Sequence, residues 1–549
     1  MISYKYITKI IGVLMAAAVA FCFWVMAFSQ EAVEVMSSVR VPMAYATALF
    51  DTDEPMRIDI QMAQEEWEKM LENAMAEEYY ACDVLINDQK LYNVGVRPKG
   101  NTSLSAIVNN PDSDRYSLKL EFDHYVEGQT CLGLDKLILN NNYADPTNMK
   151  EALVYDMYQY LGADASLYNY AEISLNGEYL GVYLALEAVE ESFLMRNYGT
   201  VEGELYKPDS MDMGGGDRGG DFGGQPQPGE DGDAAGKKRR MERDRDTASG
   251  GKDFAKPEEG EASGKDVLTD GEKPDVEGGM PPDGGASRGG GNGADLNYTD
   301  EDISSYSDIW DGEVTNTGQS DHRRVVTALK NISEGTNLEQ YLDVDNILKY
   351  MAVHAFSVNL DSLSGNMAHN YYLYEYNGML NILPWDYNLS FGGMNHGSES
   401  GASEVVNDAV DTPFAGTAFF DALLENETYL SRYHEYMRQL AQEYVLGGRF
   451  QEVYQRIRSQ IDALVETDPT ALYSYEAYEA GAEMLYQTVM LRAESVRGQV
   501  DGIIPATDEE QRADAADLVD ASKIDISVMA AMDMGRGGNR NGERAANRQ

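Results

Sequence analysis

An α+β fold is predicted by three observations. Strand-type segments come first and turn at polar pairs, one capped helical segment interrupts them, and the last third carries a three- and four-residue apolar rhythm. EYYACDVLI and KLYNVGVRPKG read as strands paired around Asn87-Asp88, and RYSLKLEFD and DKLILNN read as two more. DPTNMKEALVYDMYQYLG reads as a helix, with Asp145 as N-cap, Pro146 at its first position and Gly162 as its stop. YAEISLNGEYLGVYLALE then returns as a hairpin turning at Asn176-Gly177. Strands around Val84, Val96, Leu118, Ile138, Ile173 and Val182 are expected to share one antiparallel-rich sheet with that helix packed on it.

The chain divides into six stretches. Lys5 and Lys9 precede 19 uncharged, apolar residues from Ile10 to Phe28, and Glu31 and Glu34 follow. This length and charge order predict a membrane anchor over 1–38 with the N-terminus in the cytoplasm. A cleavable signal peptide ending at Ala27-Phe28-Ser29 is the alternative, and both put the bulk of the chain outside the membrane or secreted. Residues 39–207 hold the α+β part. Residues 208–294 are rich in Gly, Pro and Asp around a basic KKRRMERDR knot, too poor in apolar side chains to offset ordering entropy, and are expected to be disordered. Residues 295–411 resume ordered structure, 412–505 read as helical, and 506–549 read as a disordered tail with an Arg-rich end.

With 93 acidic against 43 basic residues, the formal charge of −50 opposes contact with phosphate backbones and argues against a nucleic-acid partner. The six histidines and three cysteines form no zinc spacing. Cys82 and Cys131 leave a disulfide open without requiring it.

The most informative stretch is NYYLYEYNGMLNILPWDYNLSFGG, residues 370–393. Asn377-Gly378 suits a two-residue type I′ turn, and pairing Tyr376 with Met379 carries Asn370 opposite Trp385. Asn370 and Asp386 then meet at the hairpin mouth, an amide beside a carboxylate, which suits Mg²⁺. An Asp386 that merely caps the next turn is the plainer reading of that hairpin taken alone. VRPKGNTS follows a strand and offers Lys99, Asn101, Thr102 and Ser103, small polar groups and a cation of the kind that approach phosphate. Lys119 lies mid-strand and needs a partner, either Glu151 or a nucleotide phosphate. Asp361 and Asn366 repeat the Asp-x₄-Asn spacing of a kinase catalytic loop, ahead of a strand pair leading to Asp386.

Taken together, VRPKGNTS, SLKLEFD, LILNNNYADPTNMKEALVYDMYQYLG, ISLNGEYLGVYLALE, GELYKPD, HNYYLY and ILPWDYNLSFG resemble the spore-coat CotH kinase family, in that family's order. The resemblance implies an atypical protein-kinase-like fold, with a sheet lobe and a helical C-terminal part, that transfers phosphate from ATP to Ser residues of coat proteins. It implies Asp361 as the catalytic Asp and Asp386 as the Mg²⁺ ligand, with Asn366 or Asn370 beside it. Lys119 matches the strand Lys that contacts phosphate, KGNTS the phosphate loop, and Glu187 the edge where the base is expected. Two departures stand out: Lys150 where the family usually has Arg, and the 87-residue insertion from Pro208 to Ala294.

The implied chemistry is in-line phosphoryl transfer from Mg·ATP to a basic, Ser-rich protein drawn to an acidic surface, with the oligomeric state left open. A catalytic domain outside the membrane would need a compartment supplied with nucleotide. The alternatives are a non-catalytic surface scaffold or adhesin on the same fold, and an envelope polymer phosphotransferase.

Overall fold

The structure, a computed structural model, describes residues 40–51, 53–209, 292–365, 367–394, 401–414 and 417–530. The expected anchor, nearly all of the insertion, the last residues of the tail and Asn366 lie outside these. Among the described residues no helix is long and apolar enough to cross a membrane.

Among the described residues ten strands build two sheets. They are β1 (Met56–Gln61), β2 (Tyr80–Ile86), β3 (Gln89–Lys99), β4 (Ser117–Glu121), β5 (Lys136–Asn140), β6 (Tyr168–Leu175), β7 (Glu178–Glu187), β8 (Glu204–Tyr206), β9 (Tyr371–Tyr376) and β10 (Met379–Pro384). The first seven close into a barrel in the order β1-β2-β3-β4-β5-β7-β6. Every neighbour is antiparallel except β1 and β6, whose parallel pairing from Met56↔Ala171 to Ile60↔Leu175 shuts the barrel. The six expected strands all lie in it, but the sheet is closed rather than open. The seventh strand, β1, was not among those expected; the alternation of Met56, Ile58 and Ile60, all buried, is the signal that marks it. The turns fall as read: Ile86 pairs with Gln89 across Asn87-Asp88, and Leu175 with Glu178 across Asn176-Gly177.

Side-chain alternation sorts the barrel into an inside and an outside. Ile58, Ile60, Val84, Val96, Leu118, Leu120, Leu137 and Leu139 fill the interior. On the outside, Ile138, Tyr170, Leu184 and Leu186 join the second and larger core, shared with the helices. The helix against this wall runs from Lys150 to Leu161, not from Pro146. Asp145 still serves its N-terminus, from a preceding turn: Oδ2 accepts from the N–H groups of Met149 and Lys150, and Oδ1 from that of Thr147. That turn holds Pro146, so the proline sits before the helix instead of inside it. Lys150 is fully buried, and its Nζ has no hydrogen-bond partner. Cys82 and Cys131 are both buried and unbonded.

The second sheet has the order β10-β9-β8. Its hairpin keeps the expected register, Tyr376↔Met379 through Tyr371↔Pro384, with Asn377 at φ 53° and Gly378 at φ 88° as a type I′ turn requires. Helices Gln319–Ser333 and Val344–Ser357 pack beside it, and Glu427–Arg438, Arg449–Glu466 and Tyr475–Val500 extend the core. The tail is corrected in part. Residues 506–530 are ordered, with a short helix at Asp508–Ala513 and a 3₁₀ turn at Ile526–Met529. Ala521, Ile524, Ile526 and Met529 are buried, so the acidic, Ala-rich composition hid four anchoring side chains. The insertion boundary also shifts, because Ala294 is buried and its carbonyl accepts from the Tyr371 hydroxyl at 2.5 Å.

Candidate functional site

Directly opposed residues of neighbouring strands share a face. Arg97 opposes Lys119, Lys99 opposes Ser117, and Lys119 opposes Ile138. Arg97, Lys99, Lys119, Lys136 and Asn140 therefore lie on the outer wall of the barrel, on the side whose Ile138 joins the helical core. A row of cations is the wall's contribution.

Within that row the partners differ from those expected. Lys119 does not reach Glu151: its ammonium donates to Glu190 Oε1 at 2.5 Å, and Lys136 donates to the other oxygen of the same carboxylate. Lys99 is the cation connected to Glu151. Its Nζ donates to Asn140 Oδ1 at 3.0 Å, and Asn140 Nδ2 donates to Glu151 Oε2 at 2.9 Å. The alternation explains the exchange, because Lys99 lies one outward step further along the wall than Arg97, which stands opposite Lys119. Beyond Lys99 the chain turns at Gly100 into the seven-residue helix Thr102–Val108, with Asn101 as N-cap residue and Asn101 and Thr102 exposed. Asn101, Thr102 and Ser103 thus sit at a strand-to-helix turn, next to the lysine of the relay.

Glu187 is elsewhere. It is fully buried and accepts from Arg196 at 2.9 and 2.6 Å, from the Tyr45 hydroxyl and from the Leu167 N–H. A carboxylate so enclosed holds an ion pair together and offers no edge to a nucleotide base.

The opposite wall comes from the hairpin and from the loop after the Val344–Ser357 helix. That helix ends on Val358 at φ 50°, a left-handed conformation uncommon for a β-branched residue, and the chain swings into residues 359–365. The loop is tight: a side chain at Gly365 would start 1.7 Å from the Leu360 carbonyl oxygen. Asp361, carried on this loop, accepts from Asn370 Nδ2 at 3.0 Å and is bonded to His369 Nε2 at 2.9 Å. Asn370 keeps its place at the hairpin mouth, but its amide N–H groups go to the Asp361 carboxylate and carbonyl, not to Asp386. Burial works against charge on His369, yet the bond and the charge of Asp361 raise its pKa above the usual imidazole value.

Asp386 follows the hairpin in a left-handed conformation, φ 60°. Burial raises its pKa, Asp361 adds to this, and Lys99, Lys207 and His369 oppose it. Asp386 in turn acts on Glu151, which burial and that neighbouring charge push up to about 8. Lys99 and Lys207 both hold their ammonium groups over the Trp385 ring, at 5.5 and 5.6 Å. Asn359 anchors the two segments to each other, donating from Nδ2 to the Asp386 carbonyl at 3.2 Å.

The site therefore joins Asp361, Asn370 and Asp386 on one wall to Lys99 and Glu151 on the other. Asn140, Lys207, His369, Asn359 and Glu190 belong to it as well, and sequence reading passed them over. Asn140, Lys207 and His369 stood inside quoted motifs; which partners Asn140 and Glu190 meet is set by strand register and by the turn after β7.

Among the described residues no group of three or more His, Cys, Asp or Glu side chains is set to hold a metal alone. The donor set nevertheless suits Mg²⁺, which takes one or two carboxylates and completes its shell with water and phosphate. Two buried oxygens support the fit: Glu151 Oε1 and Asn359 Oδ1 make no hydrogen bond of ordinary geometry. A hard cation near Asp386 would satisfy oxygen atoms of this kind and favour the ionised carboxylates.

Comparison with known proteins identifies the family. Residues 96–496 match the family model described as CotH kinase protein, an interval containing every site residue named above. Inner spore coat protein H of Bacillus subtilis (strain 168) is 21% identical over 380 residues, spanning 68% of this chain and 80% of that protein. A match over residues 96–496, well over half of the chain, makes this chain a member of the CotH kinase protein family.

Proposed function

We propose that the protein is an atypical serine protein kinase with a kinase-like fold, using Mg·ATP and acting at a spore surface or cell envelope. The observation that carries this reading is the Lys99–Asn140–Glu151 relay, whose two charged ends both act on Asp386, the carboxylate that Asn359 ties to the loop of Asp361. Cations for phosphates, a carboxylate for a metal and a second carboxylate for the acceptor hydroxyl are what phosphoryl transfer needs.

Asp386 would hold Mg²⁺, with Glu151 and the Asn359 amide oxygen as further donors, and the bound ion would supply charge neutralisation at the phosphates. Lys99 and Lys207 attract and orient the phosphate chain. Asp361, fixed by Asn370 and His369, orients the acceptor hydroxyl and takes its proton as the Ser Oγ–P bond forms and the P–O bond to ADP breaks. Lys119 stays with Glu190, an ion pair that fixes the wall beside Lys99. A basic, Ser-rich protein is the acceptor class suited to so acidic a chain.

The test is transfer from labelled ATP with Mg²⁺ to basic Ser-rich peptides. Transfer to Ser by the wild type, lost in Asp386→Asn and Asp361→Asn, is the expected result. A folded wild type that transfers nothing to any such peptide would leave the scaffold reading in its place.

A further inference from the structure

One fully buried histidine touches both acidic segments of the site from behind. His354 lies in the last turn of the Val344–Ser357 helix, with no exposed surface. Its Nε2 is 2.8 Å from the Ser364 hydroxyl, which donates onward to the Asn359 carbonyl at 2.9 Å. Its Nδ1 is 3.0 Å from the hydroxyl of Tyr387, the residue after Asp386. Tyr387 bonds in turn to Tyr158 on the barrel-side helix at 2.5 Å.

The protons assign themselves along this chain. The Ser364 hydrogen goes to the Asn359 carbonyl, so the Ser364 oxygen accepts, and the imidazole must carry its hydrogen on Nε2. Nδ1 is then an acceptor and receives the Tyr387 hydroxyl, which leaves the Tyr387 oxygen to accept from Tyr158. Burial keeps the imidazole neutral by pushing the His354 pKa down to about 3, and so holds this one tautomer in place.

We propose that His354 is a positioning residue for phosphoryl transfer, setting the Asp361 loop and the Asp386 turn at one fixed separation. This rests on the kinase reading above, but its structural consequence can be read without activity. A chain from Tyr158 through Tyr387, His354 and Ser364 to Asn359 reaches both segments from behind, and Asn359 closes the circuit through its bond to the Asp386 carbonyl. Catalysis by placement is sensitive to displacements of about 1 Å, which can cost on the order of 100-fold in rate.

The experiment compares His354→Leu, His354→Gln and Ser364→Ala in the full chain, by kinetics and by amide hydrogen exchange. His354→Leu should lower kcat at least tenfold with the KM for Mg·ATP within about threefold of wild type, because Lys99, Lys207 and Asp386 all remain to bind it. His354→Gln retains one donor and one acceptor and should recover much of the rate; a space-filling role would instead favour Leu. Exchange in His354→Leu should quicken together in 359–364 and 386–391. Wild-type kcat in His354→Leu, or faster exchange confined to the helix around residue 354, would overturn the proposal. Should the wild type transfer no phosphate, the kinase reading falls and exchange alone decides: a joint rise supports the tether, and its absence refutes it. Should His354→Leu not fold, Ser364→Ala decides, by a slower rate with faster exchange in 359–364 or by neither.

Discussion

At the residue scale, the proposed phosphoryl transfer gives two aspartates of similar setting separable duties. Asp386 faces Lys99 and Lys207, whereas Asp361 is held by His369 and Asn370. Asp386→Asn should weaken Mg·ATP binding at least tenfold, about 1.4 kcal/mol, while Asp361→Asn should abolish transfer and bind Mg·ATP as the wild type does. A nucleotide titration separates them; equal affinity in all three proteins would remove Asp386 from the metal. Glu151 gives a second prediction, with a definite sign. Its folded pKa of about 8 means that the metal-free protein holds a proton there at neutral pH. A cation that favours the carboxylate must displace that proton, so Mg·ATP affinity should rise as pH climbs from 6 through about 8 and level off above it. Calorimetry in two buffers of different ionisation enthalpy should record proton release at pH 7, and Glu151→Gln should lose both the release and the pH dependence.

At the scale of elements, the hairpin and the tail show opposite degrees of legibility. The β9–β10 register followed from Asn377-Gly378 alone, because a two-residue turn leaves one way to pair its strands. The nearness of Asp361 and Asp386 was legible too, because the hairpin folds the stretch between them back on itself. The lysines were not. Which of Lys99 and Lys119 meets Glu151 depends on Asn140 and Glu190, brought near by strands β5 and β7 and the turn that follows. The ordered stretch 506–530 escaped because its anchors are few and far apart among acidic residues. Those anchors should matter. Met529 is fully buried, so Met529→Ala should cost about 2–5 kcal/mol, measurable by urea unfolding, where a disordered tail would register nothing.

For the whole molecule, the barrel and the helical part are joined by a buried ion pair. Arg115 donates to Asp468 at 2.8 Å with both side chains 2% exposed, and reaches the carbonyls of Asn141 and Val182 on the barrel side. Asp468→Ala strands a buried guanidinium and should cost about 3–5 kcal/mol in thermal or urea unfolding; a loss below 1 kcal/mol would mean water replaces the carboxylate. The parallel contact of β1 with β6 has a different reach. Strands far apart in sequence had to meet for it, which is why composition and turns gave no sign of closure. Its effect is on neighbours in solution. A sheet that ends in a bare strand offers its backbone groups to any extended segment, and at high local concentration copies begin to template one another. Here the seven strands leave no such rim, and in the small sheet bridges from Glu313 to Tyr206 and from Leu342 to Leu380 occupy both outer strands. A protein held at high local concentration can then stay a discrete body, meeting its neighbours through side chains rather than being drawn into a shared β-ladder.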